Sequence, residues 1–143
     1  MTSDEGQPTV LISNRQDVSF DESELIDVAR RCLVGEGLKR VELSVSLVGP
    51  EEITELHERY MGESGPTDVL SFPMEEDDDG TRVLGDVVIC PEVAAKNNDD
   101  LAAELRLLVA HGILHLLGHD HEEEDERAEM WARQDRYASV RVP

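Results

Sequence analysis

The chain has 143 residues, 39% apolar and 32% charged, which is enough for one soluble domain with a single core. Its formal charge is -20, from 13 basic against 33 acidic residues, and that balance opposes sequence-independent binding to nucleic acid, which needs cations to displace counterions. No apolar run reaches the ~20 residues of a membrane helix, and the start "MTSDEGQPTV" lacks the basic and apolar blocks of an export signal, so a cytoplasmic single domain over 1–143 is expected.

Residues 1–8 read as a loose tail, and "TVLIS" (9–13) as a short strand. "FDESELIDVARRCLV" spaces Leu25, Val28, Ala29, Cys32 and Leu33 as a helix. Asp21 and Glu24 resemble a capping box at its start, and Gly35 and Gly37 stop it. "VELSVSLV" (41–48) alternates like a half-buried strand. "GPEEITELHERYMG" starts a helix with Pro50 in the first turn, buries Ile53, Leu56 and Tyr60, and ends at Gly62.

"TDVLSFPM" and "VLGDVVIC" are two strands joined by the charged hairpin "EEDDDGTR". Pro91 closes the second, and a short helical piece follows. From about Asp100 to Leu117 the chain is helical and apolar nearly all round, interrupted by Glu104 and Arg106, as a central helix is. Gly118 ends it, and "HEEEDERAEMWARQDRYA" restarts a helix with Met130, Trp131, Gln134 and Tyr137 along one side. The expected fold is α+β: a single layer of about four mixed strands, packed with helices around that central apolar helix. Cys32 and Cys90 lie far apart in the chain and are expected to be buried free thiols.

The chemistry concentrates in "HGILHLLGHDH" (111–121), which holds four of the five histidines. Residues four apart share a helix face, so His111 and His115 present two imidazoles to one ion. Gly118 then lets the chain turn and bring His121 back to the same ion. Three imidazoles leave a tetrahedral zinc with one open position, the mark of a catalytic rather than a structural site. His119 is expected at the rim, Asp120 as a carboxylate that orients a ligand, and His57 as a surface or cleft residue.

The histidine and glycine spacing is that of the zinc peptidases, H-E-x-x-H-x-x-G-x-x-H. The residue after the first histidine, however, is Gly112 where the peptidases have their base. This disfavours ordinary peptide hydrolysis, and a glycine there would also let another backbone or the substrate come close.

"HGILHLLGHDH" resembles the H-G-x-L-H-L-x-G-x-D-H signature of the YbeY family of bacterial rRNA-maturation endoribonucleases. "GPTDVLSFPM" (65–74) and "LGDVVIC" (84–90) resemble that family's two other marked segments, in the same order. The resemblance implies a zinc-dependent endoribonuclease that cuts single-stranded RNA. It further implies work on the 3′ end of small-subunit (16S) ribosomal RNA and in ribosome quality control. By the same resemblance His111, His115 and His121 bind one zinc ion. The family's arginine before its T-D-V-L-S-F-P segment is replaced here by Met61, with Arg59 two residues earlier.

With no glutamate at 112, Asp68 and Asp120 are the candidate bases, and Thr67 and Ser71 are candidate donors to phosphate or sugar. Two rivals stay open: a zinc peptidase or other hydrolase with a different base, and a non-catalytic metal-binding ribosome-assembly factor. Cations for RNA are confined to Arg30, Arg31, Lys39 and Arg40, and to Arg127, Arg133 and Arg136 in the last helix. A small-subunit protein that delivers the RNA is therefore an expected partner; neither DNA nor a membrane is.

Overall fold

The computed structural model describes residues 7–78, 81–119 and 123–139. Its elements run β1 (Thr9–Arg15), α1 (Glu22–Gly35), β2 (Val41–Val48), α2 (Pro50–Met61), β3 (Val69–Asp78), β4 (Thr81–Ile89), α3 (Pro91–Ala94), α4 (Leu101–Leu116) and α5 (Glu124–Ala138). The four strands form one sheet in the order β1-β2-β4-β3. β1 and β4 both pair parallel to β2, while β3 runs antiparallel along β4, so the sheet is mixed as expected. Of the expected tail, residues 1–6 lie outside the described residues, and Pro8 is buried.

Strand alternation sends successive side chains to opposite faces. On one face Leu43, Val45, Leu47, Leu84, Val87 and Ile89 join α1, α4 and α5 in the main core. On the other, Val48, Leu70, Val88 and Cys90 pack with Ile53 of α2 in a smaller cluster. β2 is therefore more than half-buried: Ser46 and Val48 on its second face are covered too. Helix α2 covers only part of that face, so of its expected stripe Ile53 is fully buried and Leu56 is half-buried. Tyr60 stays 59% exposed and meets Phe72 edge-on.

Asp21 caps α1 by accepting from the amides of Ser23 and Glu24. The reciprocal arm of the capping box is diverted: Glu24 takes Arg106 Nη1 at 2.7 Å. Arg106 also donates to the carbonyl of Ala138, so the charged interruption in α4 ties three helices together. Gly35 has a packing role as well as a terminal one, because the Tyr137 ring occupies the space of its missing Cβ. Both cysteines are free and buried; burial, helped by Glu36, pushes the Cys32 thiol up to about 12.

Candidate metal centre and active site

Helix α4 forms one wall of an open cleft of about 340 Å³, to which it contributes His111, His115 and Leu116. The other wall is β3, with Val69, Ser71 and Pro73, and Met61 at the end of α2 closes one side. His111 and His115 meet edge-to-face with ring centroids 4.8 Å apart, as helical spacing of four requires. Among the described residues, no carboxylate lines this cleft. That is notable in a chain of charge -20.

His111 is braced from α5. Its Nδ1 lies 2.9 Å from Oε1 of Gln134, and Trp131 stands edge-on to its ring at 6.0 Å. Met130, Gln134 and Tyr137 form the buried face of α5, whereas Trp131 is 41% exposed. The amide oxygen of Gln134 can only accept, so Nδ1 carries the proton and Nε2 the lone pair. That is the state in which imidazole binds a metal, and a partner on the other ring nitrogen is the usual support of such a ligand. The donor chemistry therefore fits a zinc-type cation.

α4 ends as expected at Gly118, whose φ of 96° is open to glycine and strained for other residues. His119 then turns away to Glu36, its Nε2 3.1 Å from Oε1. Glu36 is the meeting point of a part-buried cluster, also accepting from Tyr137 Oη at 2.6 Å and Arg133 Nη1 at 2.7 Å. Burial pushes its carboxyl up, but the hydrogen bonds from Tyr137, His119 and Arg133 outweigh this and hold it below the usual carboxylate range. His121 and Asp120 lie outside the described residues.

The remaining predicted residues fall in different places. Asp68 enters β3 half-buried; its carboxylate accepts from Asn97 and its carbonyl from the amide of Cys90. It is not among the cleft-lining residues, and neither is Arg59, which pairs at 3.1 Å with Glu55 one turn back on the exposed side of α2. Met61, two residues on, does line the cleft. Ser71 donates to the carbonyl of Gly112 at 3.0 Å, so its hydroxyl is a satisfied link between β3 and α4. His57 secures the loop after α2, with Nδ1 2.8 Å from the carbonyl of Gly65.

The space beside Gly112 belongs to the fold and not to a substrate. A β-carbon there would meet Val87 Cγ1 at 2.5 Å and Ser71 Oγ at 3.3 Å. Glycine at this position lets α4 lie directly on β4 and β3. The supporting roles of Gln134 and Glu36 were not legible beforehand. An amide between Met130 and Tyr137 on a buried stripe was the one available signal, since buried polar groups need partners.

The Endoribonuclease YbeY family profile matches residues 11–140. Curated relatives carrying that name include one from Frankia casuarinae, 48% identical over 138 residues, covering 85% of this chain and 69% of the relative. Another, from Acidothermus cellulolyticus, is 47% identical over 142 residues, covering 88% and 87%. A solution structure of a Thermotoga maritima protein aligns with a TM-score of 0.58 at 34% identity, over 91% of this chain and 87% of that one. The paired histidines on α4, the β3 wall and the sheet order thus sit in a chain that, over nearly its whole length, belongs to the Endoribonuclease YbeY family.

Proposed function

We propose that this member of an endoribonuclease family is a zinc-dependent enzyme that cuts single-stranded RNA and matures the 3′ end of small-subunit ribosomal RNA in the cytoplasm. The observation that carries the reading is the cleft itself: His111 and His115 side by side on one wall, with no carboxylate among the described lining residues, in a strongly acidic chain. A phosphodiester is an anion, and a described lining without carboxylates does not repel one. No helix of the described residues is long and apolar enough to cross a membrane.

His111, His115 and His121 would hold one zinc ion. Bound there, zinc supplies Lewis-acid polarisation of a phosphoryl oxygen and activation of water near neutral pH. The protein's own residues orient and enclose. Gln134 keeps the His111 proton on Nδ1, and Ser71 pins β3 to α4 through the Gly112 carbonyl. Met61 and Leu116 provide apolar walls that limit water.

Asp120, next to His121 in the chain, and Asp68, held by Asn97, are the carboxylates proposed to accept a proton. Arg59 is the cation proposed to grip phosphate, which requires it to exchange Glu55 for the substrate. The basic residues do not form a large free surface: Arg31 pairs with Asp27, and Arg133 with Glu36 and Glu129. Delivery of the RNA by the small ribosomal subunit, or by a protein on it, follows from that shortage.

The test is to incubate zinc-loaded protein with labelled single-stranded RNA, duplex RNA and casein, with and without chelator. Chelator-sensitive cutting of the single strand alone is expected. Casein turnover would favour a peptidase, and zinc uptake without any turnover would favour a non-catalytic assembly factor.

A further inference from the structure

We infer that Gln134 is a positioning residue: it fixes His111 for the cation while adding no charge to the cleft. The inference rests on the metal reading above.

Gln134 is 4% exposed, on the face of α5 turned to α4. A buried amide costs free energy unless it is hydrogen-bonded, so its presence there calls for a reason. Its Oε1 sits 2.9 Å from His111 Nδ1. With the proton held on Nδ1, the lone pair is on Nε2, the form in which imidazole ligates a metal. Trp131, three residues earlier on α5, stands edge-on to the same ring and limits its rotation. One helix thus supplies both the acceptor and the wall that orient the ligand.

The neutrality of the acceptor matters as much as its position. A carboxylate at 134 would orient the ring equally well, since carboxylates serve metal-bound histidines in this way. It would also bring a full negative charge against a cleft whose described lining residues carry none. A unit charge within several ångströms of a partly desolvated site changes the affinity for an anion by about tenfold or more. With 33 acidic residues against 13 basic ones, the chain has little positive charge to offset it. Glutamine satisfies the histidine and leaves the cation's charge undiminished for a phosphate.

The test compares the full chain with Gln134→Met and Gln134→Glu. In metal-free protein at about pH 8.5, above the ordinary imidazole range, long-range proton–nitrogen NMR should show His111 protonated on Nδ1 in the wild type and in Gln134→Glu. Gln134→Met should lose that preference. Zinc affinity, measured by competition with a chromophoric chelator, should fall about 10–100-fold in Gln134→Met and stay near wild type in Gln134→Glu. Inorganic phosphate, added to cobalt-loaded protein and read from the cobalt absorption, should bind about tenfold or more weakly in Gln134→Glu than in wild type. Should Gln134→Met fail to fold, the wild-type tautomer and the Gln134→Glu phosphate titration still decide the matter. An Nε2-protonated His111 in zinc-binding wild type overturns the inference and leaves the metal reading standing. Equal phosphate affinity in wild type and Gln134→Glu overturns the charge argument. A wild type that takes up no zinc overturns the metal reading, and this inference with it.

Discussion

Gly112 of α4 lies so close to Val87 of β4 that a β-carbon built on it would stand 2.5 Å from Val87 Cγ1. The position that holds a glutamate in zinc peptidases is here the contact point between helix and sheet. Gly112→Ala should lower stability by about 1–3 kcal/mol, the usual cost of overpacking. That corresponds to a thermal midpoint lower by roughly 2 to 12 °C. Val87→Ala in the same chain should recover part of the loss, and Gly112→Glu should destabilise further without conferring casein hydrolysis. A Gly112→Ala protein that melts with the wild type would mean that the helix rides farther from the sheet than described.

The assignment of zinc ligands separates two histidines that are two residues apart. His119 is engaged by Glu36 at 3.1 Å, and His111 and His115 share the cleft. Elemental analysis after gel filtration should give one zinc per chain in the wild type and in His119→Ala. His111→Ala, His115→Ala and His121→Ala should each lose most of the metal. Retention by His121→Ala together with loss by His119→Ala would reverse the assignment.

Glu36 makes stability depend on pH. Its folded carboxyl lies below the ordinary range because Tyr137, His119 and Arg133 outweigh burial. A lowered carboxyl stabilises the fold above the unfolded pKa of about 4.3, and that contribution is lost as pH falls through the folded value. Glu36→Gln should therefore cost about 1.5–3 kcal/mol at pH 7, as hydrogen bonds to a charged group weaken. The gap between variant and wild type in urea denaturation should shrink toward zero under strongly acidic conditions. A gap that stays constant with pH would place the effect in packing instead.

Binding of free RNA should depend only weakly on salt. Single strands give a slope of about 0.7 per neutralised phosphate, and contact with roughly two or three phosphates is expected. Arg31 and Arg133 are already held in ion pairs, which leaves Lys39 and Arg40 as the better anchors to test. Reversing Lys39 and Arg40 to glutamate should weaken binding of a labelled single strand and leave the zinc content unchanged. Tight, steeply salt-dependent binding in the absence of ribosomal subunits would reveal a basic surface that these residues do not form.

The strands, the central helix and the paired histidines were all legible in the chain itself. Period-two alternation in β2, an apolar helix without a wet face, and the spacing of four between His111 and His115 are local properties. Each follows from backbone geometry over one or two turns or strands. So does the turn at Gly118, where the left-handed φ admits few other residues. What alternation could not show was that β2 is covered on both faces, because the direction in which the next element, α2, folds back is set by packing and not by the strand's own pattern. For the same reason Tyr60, well placed on the helical stripe of α2, proved exposed: the helix overhangs the sheet it packs on.

The environment of the site was decided by tertiary structure alone. Gln134 meets His111 across 23 residues of sequence, and Glu36 meets His119 across 83. Nothing in the spacing of either pair predicts the contact, since only the docking of α5 and of the α1 terminus against α4 brings them together. Gly112 shows the division most clearly. From the chain it is a missing base; in the fold it is the one residue small enough to let the helix that carries His111 and His115 rest on Val87.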